Sequence, residues 1–258
     1  MELTHLKSFT TGLTIGIGGV AAALAGRRAM SNLKTSKGHP WKHRVLDLGS
    51  AFLQRKYPLE AMSTYLDGLH MYADETGRQV HAAHFCIHLE HDLHQCVIFD
   101  RNAHDARLIG IEYIISEDRF RSLPEEEKKL WHSHHYEIKS GILTAPGVPE
   151  IAEHAYFEDL VKTYGKTFHT WQYDVHDFPY GAPQLMMGFT KDGQAREELI
   201  RGRDREVGVE TQRNRERRED IPMPVVAPCA NSWESGTTMQ TTLQKTTVKR
   251  SDEGRRRR

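Results

Sequence analysis

The chain has 258 residues, enough for one large domain or two small ones, and its 35 basic and 35 acidic residues cancel. The balance is uneven: residues 1–43 carry six Lys/Arg and one acid, residues 44–200 carry 15 and 25, and residues 201–258 carry 14 and nine. Basic ends on an acidic body suit anionic surfaces, and the three cysteines, lacking framework spacing, exclude a disulfide-rich scaffold.

Residues 12–26, GLTIGIGGVAAALAG, hold no charge, with Lys7 before them and Arg27-Arg28 after. As a helix the run reaches about 22 Å, short of the ~30 Å hydrocarbon core. It suits a shallow anchor, a flexible apolar leader or, over residues 1–30, an organellar or secretory address. Residues 31–43 are polar and basic, and read as a linker. From Arg44 the composition changes. Val45, Leu48 and Phe52 share a helical face ending near Pro58, and a second helix is expected from Pro58 to about Leu69.

The centre reads as strands. HFCIHLEHD alternates, so His84, Cys86 and His88 share a face; QCVIFD and RLIGIEYIIS continue an antiparallel meander. Cys86 and Cys96 could pair on adjacent strands, but buried thiols in a reducing compartment are expected. SLPEEEKKLW has helix-start signals: Pro124 early, then three glutamates. HYEIKSGIL is expected as a strand, FEDLVKTYG as a short helix stopped by Gly165, and KTFHTWQYDV and PQLMMGFTKDGQ as strands. REELIRGRDREVG reads as a final charged helix. After Thr211 the chain turns to a charge run and then to Pro, Ser, Thr and Gln, ending in four arginines. The organisation expected is therefore a leader and linker (1–43), an α+β domain (44–210) and a disordered basic and polar tail (211–258). The domain is expected to be an antiparallel β-sheet or small barrel-like meander flanked by helices.

Thirteen of the sixteen histidines fall within residues 44–200. Imidazole ligates transition metals and titrates near neutral pH, so the density points to a metal or an acid/base site. His132-x-His134 is the sharpest pair, because positions i and i+2 of a strand face one way. Glu137 falls on the opposite face unless a bulge intervenes, and His169, on another strand, could supply a third ligand. His84 and His88 form a second pair. There is no HExxH, CxxC, P-loop, GxGxxG or GxSxG.

The segments GLHMYADETGRQV, AHFCIHL, QCVIFD, ARLIGIEYIISE, LPEEEKKLWHSHHYEIKSG, PGVPE, LVKTYGKTFHTWQ and PQLMMGFTKDGQ, in this order, resemble the oil body-associated protein family (DUF1264) over roughly residues 44–210. The resemblance implies association with lipid droplets and no established reaction. His70, His84, His88, His132, His134 and His169 match the family pattern, whereas Ala83 stands where the family has a second histidine and His135 where it often has glutamate.

Two functions follow as expectations. One is a non-enzymatic protein of a lipid-droplet or anionic membrane surface, reached from the cytoplasm, since apolar contact plus basic attraction is what stable peripheral binding requires. The other is a metal-dependent or acid/base enzyme, its divalent transition metal drawn from His70, His84, His88, His132, His134, His169 and Glu137. No specific nucleic-acid partner is expected, for no recognised module is present and no aromatic residues interleave the basic run.

Overall fold

A computed structural model of the chain describes residues 40–248. The apolar run at 12–26 and the terminal arginines lie outside the described residues. The chain divides into two compact units, one ending at Ala61 and including Asn102–Ala106, the other holding the rest. The first unit contains helices α1 (Trp41–Leu53) and α2 (Tyr57–Glu60). α1 stands where the apolar spacing predicts it. α2 stops after one turn, so the second expected helix is mostly absent, and a strand begins at Thr64.

The second unit is a closed antiparallel barrel. Its strands are β1 (Thr64–Tyr72), β2 (Gln79–Glu90), β3 (Leu93–Phe99), β4 (Leu108–Ser116), β5 (His132–Ser133), β6 (Thr163–His169) and β7 (Gln184–Met187). β1 to β4 form the expected meander. β4 then pairs with β6, β6 with β7, and β7 with β1, which closes six strands into a ring. β5 shares the remaining edge of β6: His132 lies opposite Gly165 and Ser133 opposite Tyr164, while β7 takes Thr167 to His169. Closure shortens the free edges; at the β1–β7 seam Met71 and Tyr72 pair with Met187 and Met186, and Asp67 bridges to Thr144 further along.

Register fixes which residues look inward. His84 pairs with Leu66, Cys86 with Cys96, Cys96 with Glu112, and Glu112 with Thr167, while Gly110 pairs with His169. Alternation puts all of these on one face, the barrel interior. The opposite face of β1, with Leu69 and Met71, packs with Leu185, Met187 and Phe189. Burial on both faces explains why β1 reads as a helix in sequence: its apolar residues keep no clean period of two.

Helices cover the barrel: α3 (Glu117–Arg121), α4 (Glu125–Lys128), α5 (His135–Lys139), α6 (Glu150–Leu160), α7 (Glu197–Val207) and α8 (Thr211–Arg217). Three expectations are corrected here. HYEIK is a helix, not a strand, because His134 turns the chain into the right-handed region (φ −82°, ψ −1°) and β5 ends after two residues. Gly165 is no helix stop but an inner position of β6. The cysteines expected as thiols, Cys86 and Cys96, form a disulfide across β2 and β3, where register sets their Cα atoms 4.1 Å apart.

Packing also continues past the boundary expected at residue 210. Arg218, only 1% exposed, donates to the carbonyls of Ile138 (2.9 Å) and Leu143 (2.8 Å) and to Glu153 (3.1 Å). Ile221 joins the core with Phe157 and Leu160. Asn231 accepts from the Ser133 N–H (2.9 Å) and donates to Ser133 Oγ (3.0 Å), while its own N–H reaches the Trp131 carbonyl. It does so in the left-handed region (φ 53°), which asparagine tolerates. Composition misreads this segment because its arginines are counted as solvated, and one of them is the anchor.

Candidate metal centre

Inside the barrel one carboxylate stands among four imidazoles. Glu112, from the middle of β4, is 2% exposed. Its Oε2 lies 2.9 Å from His84 Nε2 and 3.9 Å from His70 Nε2, and those two nitrogens are 3.2 Å apart. Its Oε1 lies 3.1 Å from His134 Nε2 and 3.5 Å from His132 Nε2. His70 and His84 come from β1 and β2, and His132 and His134 from β5 and the turn after it. Ligand atoms around an ion with bonds of 2.0–2.2 Å stand roughly 3–3.5 Å apart, so both groups have the dimensions of a metal cage. Nitrogen and carboxylate donors together suit a divalent transition ion rather than magnesium or calcium.

Counting protons shows why the cluster wants a cation. Thr163 Oγ1 donates to the Leu160 carbonyl at 2.7 Å, so it must accept from His134 Nδ1, 2.8 Å away. The proton of a neutral His134 then sits on Nδ1, and its Nε2 lone pair faces Glu112 Oε1 at 3.1 Å. Two lone pairs at that distance repel unless a proton or a metal ion lies between them. His70 Nδ1 likewise meets His169 Nε2 at 3.1 Å, which leaves His70 Nε2 facing His84 and Glu112. His132 is fully buried, and neither of its ring nitrogens has a hydrogen-bond partner. Each such buried orphan costs about 1–3 kcal/mol, a cost that a bound ion removes for the nitrogen it takes.

The electrostatics agree. Burial pushes the Glu112 carboxyl up, but the imidazoles of His134 and His84 beside it outweigh burial when a proton lies on the facing nitrogen, and hold the group well below the usual carboxylate range. Burial pushes His132 and His169 down to about 3 and takes His70 well below the ordinary imidazole range. These three rings are therefore neutral near pH 7, the form in which imidazole binds a metal. Glu137, on α5, goes the other way: burial and then the Glu112 charge raise it well above the usual range. Its Oε2 is 4.0 Å from His132 Nε2.

Backbone proximity makes room for the cluster. A Cβ at Gly165 would overlap Glu112 Oε1 and come within 2.8 Å of His134 Nε2 and 2.9 Å of His132 Nε2. One at Gly188 would come within 2.6 Å of Glu137 Oε2. Only glycine fits either place without displacing the site.

Of the seven residues singled out from sequence, His70, His84, His132 and His134 converge on Glu112. His169 backs His70 from the second layer. Glu137 joins at the margin, brought there by the helical turn after His134 that replaces the expected strand. His88 does not join: it is exposed and packs edge-on against His94, ring centroids 3.7 Å apart. Both line a cavity of about 640 Å³ that also touches Thr163. Ala83, the departure from the family pattern, lies fully buried on the outward parity of β2, opposite Asp67, and takes no part. Sequence reasoning missed Glu112. Its signal is an acid between Ile111 and Tyr113 in a β-prone run, at the same parity as Gly110 and Ile114.

Comparison with known proteins accounts for the barrel segment. The family described as "Protein of unknown function (DUF1264)" matches residues 56–222. Oil body-associated protein 1A of Zea mays is 45% identical over 195 residues, covering 74% of this chain and 82% of that protein. Oil body-associated protein 1B of Arabidopsis thaliana is 40% identical, covering 80% and 86%. Oil body-associated protein 2A of Zea mays is 41% identical, covering 70% and 73%. No solved structure matches. With the family model matched over residues 56–222 and relatives 40–45% identical across most of its length, the chain belongs to the DUF1264 family, that of the oil body-associated proteins.

Proposed function

We propose that the barrel is a binding site for a divalent transition metal, held by Glu112 with His70, His84, His132 and His134. One observation carries this reading: the His134 Nε2 lone pair, fixed by the Thr163 hydrogen bond, points at a buried carboxylate oxygen 3.1 Å away. A polar core built only for stability would satisfy its nitrogens, and here both ring nitrogens of His132 stand without partners. The test is elemental analysis of the untagged protein purified without chelator, beside Glu112→Gln. Metal at one or more equivalents, absent from the variant, supports the reading. A folded protein that neither carries metal nor is stabilised by added Zn²⁺, Mn²⁺ or Co²⁺ overturns it.

The same protein, in our reading, works at a lipid-droplet surface. The names of the curated relatives support this, and among the described residues no helix is long and apolar enough to cross a membrane, which suits peripheral attachment. Residues 1–43, with their uncharged run and excess of base, are the candidate attachment segment. Flotation with oil-filled, phospholipid-coated droplets tests it. The whole chain floats and a chain lacking residues 1–43 sinks; equal flotation of both refutes the role given to that segment.

A further inference from the structure

The two oxygens of Glu112 do different work. Oε2 belongs to a group with His70 and His84, and Oε1 to a group with His132 and His134. Each group has all its ligand atoms within 4.8 Å of one another, and the two share only the carboxylate. A single ion bonds at 2.0–2.2 Å. One ion taking all four imidazoles would need them gathered about a single point beside the carboxylate. The histidines instead lie in pairs beside opposite oxygens, from β1 and β2 on one side and from β5 and its following turn on the other.

We infer that the barrel holds two divalent transition-metal ions, bridged by the Glu112 carboxylate through one oxygen to each. The inference rests on the metal-binding reading above. The first ion takes Oε2, His70 Nε2 and His84 Nε2; the second takes Oε1, His132 Nε2 and His134 Nε2. Ions held in this manner stand roughly 3.5–4 Å apart, the spacing of two-metal sites. The side of the second ion is the one with the fully buried and unpartnered His132 ring and with a second carboxylate, Glu137 Oε2, 4.0 Å from His132 Nε2. It is also the side that Gly165 keeps open. A methyl group there would sit against Oε1, His132 Nε2 and His134 Nε2 together, which is where the second ion belongs. The three atoms nearest a Gly165 Cβ all belong to ligands of the second ion, whereas beside the first a Gly68 Cβ would stand at ordinary contact, 3.9 Å from His84 Cε1. Gly165 is thus a specificity determinant for the number of ions, and not only a packing residue.

The experiment counts ions on the full-length, untagged chain. The protein is stripped with chelator, dialysed to equilibrium against Zn²⁺, and its bound zinc measured by elemental analysis. Two ions per chain are expected in the natural protein and one in Gly165→Ala. His132→Asn, which leaves the glycine in place, is a second variant expected to hold one, in case the alanine variant does not fold. Mn²⁺-loaded protein is expected to give the broadened electron paramagnetic resonance spectrum of two coupled ions. One zinc per chain in the natural protein, or the six-line spectrum of isolated Mn²⁺ at full loading, overturns the bridge and leaves the metal reading standing. A folded protein that takes up none of Zn²⁺, Mn²⁺ and Co²⁺ and is stabilised by none of them overturns both. Two ions in His132→Asn or in folded Gly165→Ala also overturns the assignment of the second site.

Discussion

Glu112→Gln removes one oxygen's charge from the centre of the barrel and keeps its shape. In the metal-free protein a proton must stand between Glu112 and each imidazole for these contacts to hold, and the change then weakens two charge-assisted hydrogen bonds, to His84 at 2.9 Å and His134 at 3.1 Å. Each is worth about 1.5–3 kcal/mol, so a loss of about 3–5 kcal/mol is expected once partial compensation by the amide oxygen is allowed. The metal-dependent part is larger in consequence. At free metal a hundredfold above Kd, each bound ion adds about 2.7 kcal/mol. A domain of this size gains about 2–4 °C per kcal/mol, so two ions raise Tm by roughly 10–20 °C. Differential scanning fluorimetry with chelator and then with Zn²⁺ or Mn²⁺ measures both numbers. The natural protein is expected to show the full rise and Glu112→Gln less than a quarter of it. A variant that is destabilised without metal yet keeps the full rise would refute the role of Glu112 as the shared ligand.

Three further outcomes follow from the packing. Burial holds His132 and His169 down to about 3, so below pH 6.5 the unfolded chain takes up protons that the folded chain refuses. The metal-free protein is expected to lose stability as pH falls from about 6.5 toward 3, at up to ~1.4 kcal/mol per unit for each ring. The lowered Glu112 adds to that loss below about 4.5. Urea midpoints equal at pH 7 and pH 5 would contradict this. Arg203 is fully buried against Asp67 (3.2 Å) and the Ile142 carbonyl (2.6 Å), so Arg203→Ala leaves a buried acid with a weaker set of partners and costs about 3–5 kcal/mol by chemical denaturation; a cost under ~1 kcal/mol counts against the ion pair. Truncation after Val209 removes Arg218, Ile221 and Asn231 from the core and is expected to abolish cooperative unfolding, as followed by circular dichroism; a sharp transition near the natural Tm would return residues 211–258 to the status of a tail.

The meander and its inward histidines are legible in sequence because β2 and β3 alternate cleanly and side chains alternate with them. The site is only half legible. His84, His132 and His134 declare themselves by spacing. His70 is hidden in β1, whose two buried faces erase the period of two, so the segment passes for a helix. Glu112 is hidden because one acid within RLIGIEYIIS has the same letter whether it faces water or four imidazoles; only the register of β4 against β3 and β6 decides. Glu137 is misplaced by one wrong element, the strand expected where α5 turns. The segment past Thr211 is misjudged for another reason. Its apolar content is low, and it is held by Arg218 and Asn231, polar side chains whose burial no composition rule anticipates.

Asn231 lies 98 residues after Ser133, yet it forms the far edge of the short strand that carries His132. Synthesis runs from the N-terminus, so every strand of the ring leaves the ribosome before the residue that covers the far edge of β5. β5 thus has two flanks: β6, which pairs with His132 and Ser133, and Asn231, which comes much later in the chain. A chain clipped between Met187 and Asn231 would keep every strand of the ring yet leave His132 with only one of its two flanks, so the metal centre would report on a cut made far from it in sequence.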